Sequence, residues 1–376
     1  MSLRVLVADD SILFRRVITE ALTSLPEVKV LGSVANGKLA VQRVRELQPD
    51  LLTLDMEMPE MDGMAVLEAL RQARETVAVI VVSALTRRGG QLTMHALEKG
   101  AFDFITKPDA ASSEESREAI RKELAPRLHA LAHRLEIRNI LRNRPAAPAT
   151  VSPGDKVPAV QEPRSGSLNE VAGRMNRLAA VAKPEMVLIG VSTGGPHALA
   201  QVLPEIPGNI GVPLLIVQHM PPVFTQSLAE SLSPRCAVRV QEASHGEIAK
   251  PNTAYIAPGG KHMRLIPVPE GGKMVQVTDD PPENNCKPAV DYLFRSVANN
   301  FPGQAMAVIL TGMGSDGVLG LRLLKRHPCY VIAQDEATCV VFGMPKAAVD
   351  AGVADAVLPL EAIAGRITAT VRGWKP

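Results

Sequence analysis

Five polar side chains in the first 108 residues stand where predicted strands end: Asp9, Asp10, Asp55, Ser83 and Lys107. Because the carboxyl ends of parallel strands meet at one edge of a sheet, we expect the three carboxylates to lie close together. Carboxylates placed in this way raise one another's pKa unless a cation joins them, and Mg²⁺ suits carboxylates combined with water and phosphate oxygens. The set predicts a site where a phosphoryl group on one Asp meets a hydroxyl and an ammonium. Asp9 and Asp10 alone would fit helix caps equally well.

A second constellation begins at Gly190-Val-Ser192-Thr-Gly194, which fits the G-x-S-x-G pattern of a nucleophilic serine between a strand and a helix. The glycines let the chain turn sharply, and backbone amides at the start of the next helix can stabilise an oxyanion. A phosphate-binding turn is the rival interpretation. The full dinucleotide fingerprint and the Walker pattern are both absent here, which favours the nucleophile.

A serine hydroxyl needs a base near neutral pH, and that base is usually histidine. Of the eight histidines, His219 alone ends a predicted buried strand, Leu214–Gln218. Asp316 also follows a predicted strand and lies in the glycine-rich segment Gly312–Gly317. The positions favour a serine nucleophile, an imidazole base and a carboxylate that orients the imidazole and stabilises its charged form.

The elements that must position the first set alternate between strands and helices. Short apolar runs predict five strands, over Val5–Ala8, Val28–Val34, Leu51–Leu54, Val77–Val82 and Phe102–Ile105. The intervening segments have helical spacing, and Ser11 is placed to cap the first helix. Near-continuous apolar strands are typical of a parallel sheet that helices cover on both faces.

A long amphipathic helix is predicted over Ser113–Leu141, with a kink or break at Pro126. The stretch from Arg144 to Ser167 is rich in Pro, Ala, Gly and Ser, which favours a flexible linker. From about Lys183 the α/β pattern returns, with predicted strands over Met186–Val191, Leu214–Gln218, Ala254–Ala257, Lys273–Val277, Ala305–Leu310 and Val331–Gln334. The predicted fold class is α/β, with two doubly wound parallel-sheet domains, 1–122 and 183–376, joined by a helical and Pro-rich linker, 123–182.

The first block resembles a response-regulator receiver domain, which is flavodoxin-like. The resemblance covers about 120 residues and is carried by Asp9-Asp10-Ser11, Leu54–Gly63, Ser83-Ala84 and Gly100–Pro108. It implies that Asp55 is the phospho-acceptor. It also implies a Mg²⁺ ion bound by Asp10, Asp55 and the backbone carbonyl of Glu57, with Asp9 acting through water. The remaining implied roles are a hydrogen bond to the phosphoryl group from Ser83, an ion pair with it from Lys107, and an aromatic switch position at Phe104.

The second block resembles the CheB methylesterase domain, which is Rossmann-like, over roughly residues 184–370. The matching motifs are Gly190–Gly195, Gln218–Pro222, Tyr255–Gly259, Leu310–Gly317 and Cys339–Pro345. The resemblance implies that Ser192 is the nucleophile, His219 the base and Asp316 the orienting acid. Thr193, Gly194 and Met313 are the expected oxyanion or site-lining residues.

The family resemblance implies an activity as well as a fold. Its members hydrolyse glutamate γ-methyl esters on chemoreceptor helices, and many also deamidate receptor glutamines. The implied phosphodonor is the histidine kinase CheA, and no cofactor is implied for the ester chemistry. One segment departs from the family pattern, because Cys286-Lys287-Pro288-Ala289 stands where His-Arg-Pro-Ser is common. The departure leaves the three proposed catalytic residues untouched and bears on receptor choice and deamidation.

Composition excludes several other classes of protein. The formal net charge is +2 and aromatic residues make up 3% of the chain, so neither a basic nucleic-acid surface nor a base-stacking platform is indicated. The N-terminus reaches charged residues too early for a signal peptide, and no apolar run is long enough for a membrane helix. Four cysteines without a CxxC pair favour a reducing, cytoplasmic location.

Two other functions remain open on the sequence alone. In the first, the second block is a binding or scaffolding module, with Ser192 and His219 apart. In the second, it is an ordinary α/β-hydrolase that acts on small esters as readily as on receptors. Labelling of Ser192 by a serine-directed inhibitor separates the first alternative from an esterase, and comparison of small and receptor esters separates the second.

Overall fold

The computed structural model describes residues 2–108, 112–142 and 183–373. In the first block a five-stranded parallel sheet has the order β2-β1-β3-β4-β5. Its strands are β1 (Leu3–Ala8), β2 (Val28–Val34), β3 (Leu51–Asp55), β4 (Ala78–Ser83) and β5 (Asp103–Thr106). The accompanying helices are α1 (Ile12–Thr23), α2 (Gly37–Leu47), α3 (Gly63–Gln72), α4 (Arg87–Glu98) and α5 (Ser113–Arg142). All five predicted strands are present, and Ser11 caps α1 through its hydroxyl as expected.

Helix α5 differs from its prediction at one point. It passes through Pro126 without ending, so the break considered there does not occur. The helix lies against α1 and β5, and four of its leucine and isoleucine side chains enter the core of the first block: Ile120, Leu124, Leu128 and Leu131. That burial offsets the backbone hydrogen bond that proline removes. The expected boundary at residue 122 lies inside this helix, and the expected linker over Arg144–Ser167 lies outside the described residues.

The second block contains a seven-stranded parallel sheet of order β14-β13-β12-β6-β7-β9-β8. Its strands are β6 (Met186–Val191), β7 (Leu214–Gln218), β8 (Arg239–Glu242), β9 (Thr253–Ile256), β12 (Ala305–Ile309), β13 (Val331–Gln334) and β14 (Ala356–Leu358). The helices are α6 (Gly195–Val202), α7 (Phe224–Leu232), α8 (Val290–Asn300), α9 (Val318–Leu324), α10 (Met344–Asp350) and α11 (Leu360–Val371). The α/β class predicted for both blocks is therefore confirmed.

One predicted strand belongs elsewhere. Lys273–Thr278 is β11, and it pairs antiparallel with β10 (His262–Pro267) in a separate two-stranded sheet. The apolar pattern of Lys273–Val277 identified a strand but did not specify its partner. Strands β8, β10 and β14 were not predicted, because each is short or only partly apolar.

The two blocks are in contact. Helix α4 of the first lies against α6 and α7 of the second. The rings of Phe104 and Phe224 stack with their centroids 4.7 Å apart, and both side chains are buried. Ion pairs at the edge join Arg87 to Glu230 at 3.0 Å and Arg235 to Glu98 at 3.1 Å. An apolar centre with charged groups at its rim therefore joins the blocks.

Candidate active site

The phosphoryl-binding set of the first block converges at one edge of the sheet. Carboxylate oxygens of Asp9, Asp10 and Asp55 lie within 4.8 Å of one another. The Lys107 ammonium lies 2.7 Å from Asp55 Oδ2 and 3.1 Å from Asp9 Oδ2. Ser83 ends β4 at the same edge, and its hydroxyl donates to the backbone carbonyl of Gly89 on α4 at 3.1 Å.

The electrostatics of this edge suit a cation. Burial raises the pKa of Asp9 to about 6, and the charge of Asp55 adds to that effect while Lys107 opposes it. Burial likewise raises the pKa of Asp55, against the lowering effect of Lys107. Three clustered carboxylates with a single ammonium between two of them leave excess negative charge, which a divalent cation with oxygen ligands would offset. The residues present therefore fit Mg²⁺.

Ser192 lies at the topological switch point of the second sheet, where the strand order reverses on either side of β6. It directly follows β6, which has β7 on one side and β12 on the other, and open α/β sheets bind ligands at such a point. The loop after β12 approaches very closely, because a Cβ on Gly312 would lie 2.7 Å from the Ser192 Cβ. Gly194, the N-cap residue that precedes α6, has a φ of +77°, so the chain turns sharply after the serine.

His219 and Asp316 come from the neighbouring strand ends. His219 follows β7, and its amide donates to the carbonyl of Val191 at 3.1 Å, which sets it beside the end of β6. Its Nε2 lies 2.8 Å from Asp316 Oδ2, and the histidine side chain is only 12% exposed. The other ring nitrogen, Nδ1, contacts the thiol of Cys286 at 3.6 Å. The Ser192 side chain has no hydrogen bond to any residue that the structure describes.

Asp316 is held by the start of a helix. Its oxygens accept from the amides of Val290 at 2.6 Å, Asp291 at 3.0 Å and Gly317 at 3.0 Å, and from Asn284 Nδ2 at 2.9 Å. The first two amides belong to the first turn of α8, where the helix dipole favours a negative charge. Burial opposes ionisation, but the hydrogen bond with His219 and these amides lower the pKa of Asp316 to about 2.

The charged carboxylate acts on the imidazole in turn. Burial alone would lower the pKa of His219, but the hydrogen bonds with Asp316 and then Cys286 raise it to about 9. His219 is therefore mainly protonated at neutral pH, and it can act as a base only in its deprotonated form. Its contribution to folding stability is complete below about pH 6.5 and is lost as the pH rises through about 9.

We expect the pH dependence of ester hydrolysis to report this raised pKa. A base must be neutral to accept a proton, so kcat/KM should rise by about tenfold per pH unit below the folded-state pKa and level off near pH 9. Asp316→Asn should move the midpoint toward lower pH, because the main group that raises the pKa is lost. The measurement is kcat/KM for a small ester, corrected for spontaneous hydrolysis. A wild-type profile that is flat between pH 7 and 9 would contradict this assignment.

The expected oxyanion residues are also close to the serine. The Gly195 amide is occupied by Ser192 O at 2.7 Å, whereas the amides of Thr193, Gly194 and Met313 donate to no described residue. Thr193 is buried, and its carbonyl accepts from the Thr311 hydroxyl at 2.9 Å, which ties the turn after β6 to the loop after β12. Free amides beside a hydroxyl are the requirement for stabilising an oxyanion.

Two polar residues of the site, Gln218 and Asn284, were not singled out from the sequence, and Cys286 was noted only as part of a segment that departs from the family pattern. The Gln218 amide donates to the carbonyls of Ser192 at 3.0 Å and His219 at 3.1 Å, so it fixes both loops. Asn284 bridges Asp316 and Asp291. Cys286 contacts the imidazole. Gln218 ends a buried strand and was available as a signal, but the loop that contains Asn284 and Cys286 has no periodicity to mark it.

Comparisons with known proteins assign a family to each of the two blocks. The family model for the response regulator receiver domain matches residues 5–120, and that for the CheB methylesterase matches residues 187–367. A protein-glutamate methylesterase/protein-glutamine glutaminase of Desulfotalea psychrophila is 47% identical over 99% of each chain. One of the same name from Trichodesmium erythraeum is 40% identical over 97% of each chain. The crystal structure of the Thermotoga maritima CheB methylesterase catalytic domain is 42% identical, covering 50% of this chain and 98% of its own, with a TM-score of 0.48.

The fold and the two matched domains define a response regulator whose output domain is an esterase. The chain belongs to the CheB methylesterase family, whose full-length relatives are the protein-glutamate methylesterases/protein-glutamine glutaminases. No helix in the described part of the chain has the length and apolar character needed to cross a membrane.

Proposed function

We propose that the chain is a phosphorylation-activated serine esterase that hydrolyses glutamate γ-methyl esters on chemoreceptors and deamidates receptor glutamines to glutamates. The observation that supports the proposal is the hydrogen bond of His219 Nε2 with Asp316 at 2.8 Å, on loops that follow the two strands flanking β6, the strand that Ser192 directly follows. We also propose that the receiver, residues 1–122, is joined to the catalytic domain, 183–376, by a linker over 123–182.

In this mechanism the Ser192 hydroxyl attacks the ester carbonyl and its proton goes to His219. Because Asp316 occupies Nε2, the nitrogen that receives the proton is Nδ1. The tetrahedral oxyanion is stabilised by the unoccupied amides of Thr193, Gly194 and Met313. The imidazolium then returns its proton to the leaving group, which departs as methanol. Water, deprotonated by His219, hydrolyses the acyl-enzyme to glutamate. With a glutamine substrate the same steps release ammonia.

The receiver supplies the control. Asp55 accepts the phosphoryl group, with the histidine kinase CheA as donor. Asp10, Asp55 and the carbonyl of Glu57 would hold Mg²⁺, with Asp9 acting through water. When bound, Mg²⁺ neutralises part of the negative charge that gathers on the phosphoryl oxygens. Lys107, which already pairs with Asp55, turns to the phosphoryl group as an ion-pair partner. Ser83 exchanges its hydrogen bond to Gly89 for one to a phosphoryl oxygen.

The test is methanol release from methylated receptor membranes, with and without a small phosphodonor and Mg²⁺. We expect the phosphodonor to raise the rate for the wild-type chain and to leave Asp55→Asn at its basal rate, because the amide cannot take up phosphate.

Radiolabel from the phosphodonor should appear on the wild type and not on the Asn variant. Asp62→Asn is the matched control, since Asp62 caps α3 at the surface, and it should be labelled normally. Labelling of Asp55→Asn at the wild-type level would exclude Asp55 as the acceptor. Methanol release only from small esters would favour the α/β-hydrolase alternative.

A further inference from the structure

A thiol completes a second constellation around the candidate base. Cys286 Sγ lies 3.6 Å from His219 Nδ1, while His219 Nε2 lies 2.8 Å from Asp316. An imidazole nitrogen of His219, the sulfur of Cys286 and a carboxylate oxygen of Asp316 all lie within 4.8 Å of one another. The order thiol, imidazole, carboxylate is the one that activates cysteine nucleophiles, because the imidazole takes the thiol proton and the carboxylate stabilises the resulting cation.

The backbone fixes the position of this thiol. Cys286 and Glu283 exchange two backbone hydrogen bonds, at 2.8 and 3.1 Å. Between them, Asn284 donates to Asp316 at 2.9 Å, so the turn is tied to the same carboxylate that orients the imidazole. Cys286 is partly exposed, as Cys236 and Cys339 also are.

The other three cysteines have a different environment. Burial raises the pKa of Cys236 to about 11 and those of Cys329 and Cys339 to about 12. A thiol that stays protonated is a poor nucleophile. Among the described residues, only Cys286 places its sulfur against a histidine. The four cysteines therefore provide their own internal comparison.

We propose that Cys286 is a covalent modification site for small hydroperoxides and that its oxidation stops the esterase reaction. The effect on activity rests on the proposed function, whereas the reactivity of the thiol does not. In the reaction, the Cys286 thiol passes its proton to His219 Nδ1 as the sulfur attacks one peroxide oxygen, so an S–O bond forms as the O–O bond breaks. Sulfur is oxidised by two electrons to a sulfenic acid, and the hydroxide or alkoxide that leaves takes the proton of His219 and departs as water or alcohol.

Oxidation would stop ester hydrolysis because of where the sulfur lies. Nδ1 is the nitrogen that must receive the Ser192 proton, since Asp316 occupies Nε2. An oxygen added to Cys286 would stand beside Nδ1 and hydrogen-bond to it, so that nitrogen would be withheld from the serine. An external dithiol would reduce the sulfenic acid through a mixed disulfide and release water, which restores the thiol.

The first experiment measures reactivity without any esterase assay. The full-length chain is alkylated with limiting iodoacetamide at pH 7, and the rate at each cysteine is followed by mass spectrometry of peptides. We expect Cys286 to react fastest, and His219→Gln to slow it by about tenfold while the rate at Cys236 stays unchanged. If Cys286 reacts no faster than Cys236, or at the same rate in His219→Gln, the activated thiol does not exist and the proposal fails.

The second experiment measures the consequence. Wild-type chain is treated with increasing hydrogen peroxide, and samples are split between dimedone trapping, small-ester hydrolysis and dithiothreitol recovery. We expect the fraction of activity lost to equal the fraction of Cys286 trapped by dimedone, and dithiothreitol to restore activity in samples without dimedone. Cys339→Ala should lose activity as the wild type does. Cys286→Ala, compared with its own untreated rate, should keep its activity at the peroxide dose that halves the wild type.

The outcomes separate the two proposals. Complete oxidation of Cys286 without loss of ester hydrolysis overturns the inhibitory role, as does equal inactivation of Cys286→Ala and wild type. If Cys286→Ala has no measurable rate, the wild-type correlation between trapped sulfur and lost activity decides. If untreated wild type hydrolyses no ester at all, the proposed function fails, and the alkylation rates still decide whether the thiol is activated.

Discussion

Replacing Ser192 or His219 by Ala should lower ester hydrolysis by several orders of magnitude, about a million-fold if the chain behaves like other serine hydrolases. Each substitution removes a partner that the other needs in this reaction: the hydroxyl is a weak nucleophile without a base, and the base without the hydroxyl forms no acyl-enzyme. The double variant should therefore be little slower than either single variant. The measurement is single-turnover methanol release on methylated receptor membranes.

Two control variants keep this result specific. Ser315 is exposed in the loop that contains Asp316, and His245 is exposed with its ring nitrogen 2.9 Å from the Val277 carbonyl. Ser315→Ala and His245→Ala should retain nearly full activity. Circular dichroism and the melting temperature should show that Ser192→Ala is folded. Losses for Ser192→Ala and His219→Ala that multiply in the double variant would show that the two residues do not share one mechanism.

The sequence predicted the parts of this site that follow buried strands. Ser192, His219 and Asp316 each come after a strong apolar run, and parallel strands bring such positions together regardless of the loops between them. The same logic placed Asp55, Ser83 and Lys107. What the sequence did not predict lies on segments without a repeating pattern. Cys286 and Asn284 come from an irregular loop before α8, and their contacts with His219 and Asp316 depend on how that helix docks.

Sequence patterns also could not predict how the two blocks pack against each other. The sequences of α4 and α7 each look like those of ordinary amphipathic helices, and nothing in a single sequence says that one meets the other. Phe104 could be placed at an aromatic position of the receiver, but its stacking partner is Phe224, 120 residues further along the chain. Contacts at long sequence separation need the folded structure, because local propensities and periodicities carry no information on them.

The contact between the blocks is continuous with the phosphorylation site. The Ser83 hydroxyl donates to Gly89, in the first turn of α4. The next residue, Gly90, packs directly on α7, since a Cβ there would lie 2.5 Å from the Ser227 Oγ. Helix α7 starts at Phe224, five residues after His219, which directly follows β7. A phosphoryl group that draws Ser83 away from Gly89 would therefore release the turn of α4 that touches the catalytic block.

Such an arrangement suits a contact that forms and breaks. Its edge is made of exposed ion pairs, Arg87 with Glu230 and Arg235 with Glu98, each worth about 0–1 kcal/mol. Its centre is apolar and includes the stacked rings of Phe104 and Phe224. A few kcal/mol between the closed and open states is enough for a switch, and the covalent tether keeps the local concentration of the receiver high. We propose that the unphosphorylated receiver packs over the mouth formed by Ser192, His219 and Asp316, and that phosphate on Asp55 weakens this contact.

Gly90→Ala should therefore activate the unphosphorylated chain. The added methyl group collides with Ser227, whereas an alanine in a helix is otherwise more favourable than glycine. If the open state is populated at about 1–10%, complete opening raises the basal rate by about 10- to 100-fold, and the fragment from Lys183 onward should reach the same rate.

Gly365→Ala is the matched control, because that helix position on α11 has nothing within 4 Å of the new Cβ. Ser227→Ala added to Gly90→Ala removes the oxygen at 2.5 Å and should restore part of the inhibition. Receptor demethylation at equal enzyme concentration is the measurement, with circular dichroism to show that each protein is folded. If the folded fragment is no faster than the whole unphosphorylated chain, and Gly90→Ala leaves the rate unchanged, the contact between the blocks does not inhibit the enzyme. The receiver would then act as a targeting device.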